Sequence, residues 1–164
     1  SSGQTFENYF NVKLKNKIGM DGFWNYGFIF NIYNSTARSM ARFGLLALNK
    51  GKWEEEQIVE EEFFLQSMST SQEINPSYGY LWWLNGKSTY RLPGLQFEFS
   101  GTLMSNAPSD MYAALGKNDQ KIYVVPSMKM VIIRMGEVAN PDNPTFALSG
   151  FDNDLWDKIS DLYQ

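Results

Sequence analysis

The 164-residue sequence contains no cysteine and no histidine. The first absence removes disulfides, thiolate nucleophiles, Fe–S clusters and Cys-ligated zinc, and leaves the redox compartment open. The second removes every Ser-His-Asp or Cys-His mechanism, HExxH-type metal binding and any imidazole general base acting from within this chain. Charge is sparse and tilted: 14 Lys plus Arg against 18 Asp plus Glu give −4. Such a surface repels phosphate backbones and anionic headgroups, so no nucleic-acid partner is expected. Long hydrophobic runs are missing too. The longest, Phe43-Gly44-Leu45-Leu46-Ala47-Leu48, falls far short of the ~20 residues a bilayer crossing needs, so no membrane span is expected.

What is present is apolar and aromatic. Hydrophobic residues make up 43% and aromatic residues 16%, ample for a core. The length fits one domain or part of a larger one. The start, Ser1-Ser2-Gly3-Gln4 with no initiator methionine, reads as a cut edge, with a natural N-terminus and any signal peptide expected upstream.

Local patterns predict an α+β chain. Thr5 caps a helix over 5–18 that Gly19 stops. Aromatic and β-branched residues over 21–33 suit short strands among loops. Ser35-Thr36 caps a second helix with Met40, Phe43, Gly44, Leu45 and Leu48 on one side, ending at Asn49-Lys50-Gly51. The acids Glu54, Glu55, Glu56, Glu60, Glu61 and Glu62 are read as a solvated helix start rather than a metal site, because carboxylates favour helix N-termini. Tyr78-Gly79-Tyr80-Leu81-Trp82-Trp83-Leu84 reads as a strand closed by an Asn85-Gly86 hairpin turn. Residues 87–110 look irregular, with a short strand through Leu95-Phe97-Phe99. Strands over 121–126 and 130–135 are predicted to form an antiparallel hairpin, the second one buried. After a loop at 140–144, Asp152 or Asn153 caps a last helix with Leu155, Trp156, Ile159 and Leu162 inward.

By residue type alone, chemistry falls to hydroxyls, lysines, tyrosines, carboxylates and backbone N–H donors. A histidine-free hydrolase suits a serine activated by a lysine one helical turn away, but no Ser-x-x-Lys exists here. Ser35, Ser39 and Ser88 are each followed at the third position by arginine, which cannot accept a proton, and Ser127 by Met130. Tyr9-Phe10-Asn11 matches Tyr-x-Asn, but on an amphipathic helix Tyr9 reads as packing. Arg38 and Arg42, at i and i+4, read as ion-pair partners.

Six ordered segments nevertheless resemble one family. These are Gly3-Gln4-Thr5-Phe6-Glu7-Asn8-Tyr9, Ile18-Gly19-Met20, Ser35-Thr36-Ala37-Arg38-Ser39-Met40-Ala41-Arg42-Phe43-Gly44, Gly51-Lys52-Trp53, Tyr78-Gly79-Tyr80-Leu81-Trp82-Trp83 and Gln120-Lys121-Ile122-Tyr123-Val124-Val125-Pro126. Together they resemble the β-lactamase-like serine hydrolases: class C β-lactamases, D-Ala-D-Ala carboxypeptidases, related esterases and 6-aminohexanoate-dimer hydrolases. The resemblance implies an α+β fold, an antiparallel sheet flanked by helices. It also implies that the Ser-x-x-Lys nucleophile and the Tyr-x-Asn base precede residue 1, so that residues 1–164 form the C-terminal half of the domain. An exported or periplasmic protein would fit the family.

The family's third motif, Lys-Thr-Gly or a variant, edges the cleft, and the N–H after it is an oxyanion donor. One register puts Ala114-Leu115-Gly116 on that motif and the Lys117 N–H in the oxyanion hole. A rival puts Lys117-Asn118-Asp119 there. The first is preferred because Gly116 keeps the residue without a Cβ, whereas Asp119 sets a charge beside a developing oxyanion. Tyr80, Trp82, Trp83 and Asn118 are the substrate-binding candidates. Neighbours on a strand face opposite ways, so Trp82 and Trp83 either both cover sheet faces under helices, or one packs inward and the other lines a cleft; the family tilts Trp83 toward a pocket wall. No cofactor or metal is expected. The expected substrate is a small amide or ester, and the expected partner an N-terminal half or a second copy filling an exposed apolar seam. The alternative from another class is a non-catalytic module binding peptide or glycan in a groove of Trp24, Tyr80, Trp82 and Trp83.

Overall fold

A computed structural model describes residues 3–27, 29–142 and 146–163, so the last part of the loop expected at 140–144 lies outside the described residues. Thr5 accepts the Asn8 N–H at 3.2 Å and starts α1 (Phe6–Phe10). The helix expected to reach residue 18 instead widens into a π-helical turn over Asn11–Lys15, where the Asn16 N–H reaches back to the Asn11 carbonyl. Strands β1 (Gly22–Tyr26) and β2 (Asn31–Ser35) pair antiparallel, with Trp24 opposite Tyr33. Phe6, Phe10, Trp24 and Tyr33 pack with centroids 4.9 to 5.2 Å apart. Phe10, not Tyr9, faces this cluster. Phe23, Ile29, Phe30 and Ile32 stay exposed.

Thr36 accepts the Ser39 N–H and caps α2 (Ala37–Leu48). Its buried face is Ser39, Gly44, Leu46 and Ala47, so Leu45 is turned outward, contrary to expectation. Arg38 and Arg42 form no ion pair among the described residues; Arg42 donates instead to the Gly19 carbonyl at 2.8 Å. The acidic stretch carries a small hairpin, β3 (Lys52–Trp53) with β4 (Glu56–Gln57), before α3 (Glu61–Ser67), whose first turn holds Glu61 and Glu62.

Next come β5 (Trp83–Leu84), the paired strands β6 (Thr89–Tyr90) and β7 (Phe99–Ser100), β8 (Tyr112–Leu115), β9 (Lys121–Val125) and β10 (Met130–Arg134). One antiparallel sheet runs β10-β9-β8-β5. The expected β9–β10 hairpin forms, with Met130 opposite Val125, but β10 is half-buried rather than buried, with β9 as its one sheet neighbour among the described residues. No hairpin turns at Asn85-Gly86. Asn85 is buried, donates to the carbonyls of Met104, Ala107 and Pro108 and accepts from Thr102 and the Met104 N–H. Its amide therefore anchors a long loop, and β5 pairs with the distant β8.

Alternation along the strands sorts two cores. Trp82, Leu84, Tyr112 and Val124 meet Leu46 and Ala47 of α2; Trp83, Ala113, Leu115, Tyr123 and Val125 meet Trp156 of the last helix. That helix is α4 (Gly150–Ser160). Its cap is Ser149, not Asp152 or Asn153: Asp152 sits at the third helical position and closes a capping box with Ser149. Leu162 falls beyond the helix and is exposed. The α+β architecture, a sheet flanked by helices, is thus present.

Candidate functional site: the β8–β9 turn

Residues 116–120 link β8 to β9 at one end of the sheet. The Gly116 N–H donates to the Gln120 carbonyl at 2.8 Å, closing the turn. Asn118 (φ 56, ψ 38) and Asp119 (φ 55) are left-handed, a conformation Asn and Asp tolerate better than most residues. Gly116 itself has φ −103, and a Cβ there would stand 3.3 Å from the Gln120 carbonyl oxygen. Its missing side chain therefore matters for the close approach of Gln120 rather than for the backbone angle. Lys117 is exposed.

Beneath the turn lies a buried polar network. The Lys121 ammonium donates to the Ala147 carbonyl, to Asp152 at 3.1 Å and to Asp119 at 3.3 Å. Asp119 also accepts the Ala139 N–H at 2.9 Å and the Ser149 hydroxyl at 2.7 Å. Tyr123 donates to Asp152 at 2.6 Å, and the Ser149 N–H donates to Asp152 at 2.7 Å. Burial by itself would raise the Asp119 carboxyl, yet the Ala139, Ser149 and Lys121 donors outweigh it and hold the group below the usual carboxylate range. The Tyr123 hydroxyl is pushed up, by burial first and then by the Asp152 carboxylate. Arg134 completes the frame: it donates to the carbonyls of Asn118 and Asp119 and lies 5.3 Å from the Phe151 ring centroid.

The structure gathers some of the sequence-derived candidates and separates others. Gly116, Lys117 and Asn118 share one turn, but the strand expected over 78–84 is confined to Trp83–Leu84: the chain turns at 79–82, where the Gly79 N–H donates to the Trp82 carbonyl at 2.8 Å and the Tyr80 N–H to the Ser67 carbonyl at 2.9 Å. Tyr80 is 48% exposed and packs beside Phe63, while the Asn118 carbonyl is held by Gln120 and Arg134. Trp82 and Trp83 are each 6% exposed, on opposite faces, one under α2 and the other against the α4 side. Trp24 sits in the N-terminal aromatic cluster, so the four aromatics of the expected groove do not share a surface. The Asp119 carboxylate points into the network, away from the role of a bare charge at the turn surface.

Cavities of about 530, 400 and 280 Å³ are lined by the α3 face, by the start of the β3–β4 hairpin and by Asp119, Asn140, Ser149 and Phe151, respectively. None of the three is lined by Gly116, Lys117, Tyr80, Trp82 or Trp83. Among the described residues no three acidic side chains group as a metal site, and no helix is long and apolar enough to cross a membrane. The joining of Lys121, Asp119, Asp152 and Ser149 in one network was not expected from the sequence, although one signal was there: Lys121 shares strand parity with Tyr123 and Val125, placing a lysine on a core face.

No protein-family profile matches the chain, and no curated protein is similar to it. Among solved structures it is similar to a putative 6-aminohexanoate-dimer hydrolase from Bacillus anthracis, with a TM-score of 0.62 and 22% identity over 99% of this chain. The chain spans 38% of the length of that protein. The likeness shows the fold: this chain corresponds to the C-terminal portion of a β-lactamase-like fold.

Proposed function

We propose that the chain supplies the oxyanion-donor turn and part of the substrate pocket of a β-lactamase-like serine hydrolase that cleaves amide or ester bonds by acyl transfer. The observation that carries this reading is the β8–β9 turn. Gly116, without a side chain, directly follows a central strand and opens the turn, which is closed by a 2.8 Å hydrogen bond from its N–H. In such a centre the Lys117 N–H stabilises the oxygen that gains charge as the carbonyl becomes tetrahedral, and a fixed backbone donor does so without reorganising. Tyr80 and Asn118 are the substrate-contacting residues, and Trp83 backs the wall from within.

The nucleophile and its base come from elsewhere on this reading. The sequence holds no Ser-x-x-Lys. The buried Lys121 directs its donors to Ala147, Asp119 and Asp152, not to the Ser149 hydroxyl, so that serine has no lysine base, and the Asp119 carboxylate that accepts its hydroxyl at 2.7 Å is held below the usual carboxylate range, which makes it a weak base. Hydrolysis of a p-nitrophenyl ester by this chain mixed with an N-terminal half bearing Ser-x-x-Lys and Tyr-x-Asn tests the proposal. Turnover that drops at least about tenfold in Gly116→Val supports it; turnover indifferent to residue 116 overturns the oxyanion assignment.

A further inference from the structure

We propose that Asp119, Lys121 and Asp152 are positioning residues that bolt the β8–β9 turn to the N-terminus of α4 and thereby aim the Lys117 N–H. The inference rests on the reading of that N–H as the oxyanion donor, and it concerns what holds the donor in place.

Two left-handed residues in succession, Asn118 and Asp119, do not persist without restraint. Three independent restraints act on them. The Asp119 carboxylate is tied to Lys121 of β9, to the Ser149 hydroxyl that caps α4 and to the Ala139 N–H of the segment after β10. Arg134 of β10 grips the Asn118 and Asp119 carbonyls at 3.1 and 3.3 Å and lies beside Phe151 in the first turn of α4. Gln120 donates to the Asn118 carbonyl at 2.8 Å while pairing with both the carbonyl and the N–H of Gly136. Lys121 joins the first restraint to Asp152, which also takes the Tyr123 hydroxyl and the Ser149 N–H.

The arrangement is more than a way to neutralise charge. A buried ammonium needs one carboxylate; here it has two, with side-chain exposures of 0% for Lys121 and Asp152 and 3% for Asp119. One of the two belongs to the turn and the other to the helix. Removing either carboxylate leaves the ammonium partnered, but only the loss of Asp119 breaks both the Lys121 and the Ser149 ties between turn and helix, which makes Asp119 the informative position: its loss loosens the turn, whereas the Lys121–Asp152 pair still satisfies the core.

The test compares Asp119→Asn and Arg134→Gln in the full chain, read by amide hydrogen exchange in NMR. The expected result is exchange at Gly116 and Gln120, whose N–H groups close the turn, faster by about tenfold, with Tyr123 and Val124 changed by less than about threefold. Equal acceleration at the turn and in β9, or none at the turn, overturns the proposal and leaves the network as a general stabiliser. Lys121→Met with Asp119→Asn and Asp152→Asn, which removes the ammonium together with both of its carboxylates, should give the same local pattern if Lys121→Met alone fails to fold. In the complemented esterase, Asp119→Asn should lower kcat with little change in KM. Lys117→Pro, which removes the N–H at a position where proline fits a helical start, tests the underlying reading separately. If Lys117→Pro is fully active the oxyanion assignment fails, whatever the exchange data say about positioning.

Discussion

On the α2 side of the sheet, hydrocarbon meets hydrocarbon, and Gly44 lets the helix come so close that a Cβ there would lie 2.5 Å from the Val131 side chain. On the α4 side the same strands present Lys121 and Tyr123 in step with Ala113 and Val125, and the helix answers with Asp152 beside Trp156. One face is fitted by volume; the other is fitted by volume and by charge. A change on the first face costs what its shape costs, while a change on the second also strands a partner in a medium that solvates it poorly.

The sharpest way to break that contrast is Lys121→Met, which leaves Asp119 and Asp152 without their cation. We expect a loss of about 3–5 kcal/mol in urea unfolding. Adding Asp119→Asn and Asp152→Asn should recover most of it, and a single variant no worse than an ordinary surface change would dissolve the contrast. Gly44→Val on the opposite face should cost about 1–3 kcal/mol through overpacking against Val131 and Ile122, and no charge substitution should rescue it. Tyr123→Phe deletes one buried hydrogen bond to Asp152 and should cost about 1 kcal/mol.

The charged face should also respond to pH. Asp119 has a lowered native pKa, so its contribution is fully present above the ordinary carboxyl value near about 4 and is lost as pH falls through the lower native value. The acid limb of the stability profile should therefore flatten in Asp119→Asn. Tyr123, raised in the native state, acts at the other end: stability falls once pH exceeds about 10, where an unfolded tyrosine ionises and the native one does not. The smallest effect on stability belongs to the outer side of the β1–β2 hairpin. Phe23→Ser should shift unfolding by less than about 0.5 kcal/mol, while lowering any self-association measured by sedimentation, because Phe23 is 64% exposed beside other apolar side chains.

Volume and period were legible in the sequence; charge pairing across elements was not. The two helix caps at Thr5 and Thr36, the α2 helix and the β9–β10 hairpin follow from local chemistry, and they stand where that chemistry puts them. Asn85 misleads for a physical reason: Asn-Gly is strong turn chemistry, but a buried amide with five partners in a loop far along the chain satisfies more groups than a turn would. Asp152 misleads similarly, since a cap and a third-position acid look alike until Ser149 takes the cap. At the candidate site, Tyr80 lies within one of the ordered segments, and Gly116 is reached by counting back from another, Gln120–Pro126. The acids and the lysine under the turn meet only after β9, Ala139, Ala147 and α4 have come together, and no local pattern carries that information.

The central claim is that this chain holds the oxyanion turn and not the nucleophile. Labelling with a fluorophosphonate probe, followed by peptide mapping, tests it most directly. The account predicts no labelled serine on this chain alone, and labelling of the Ser-x-x-Lys serine once an N-terminal half is added. Stoichiometric labelling of any serine among residues 1–164 in the absence of that half would contradict it.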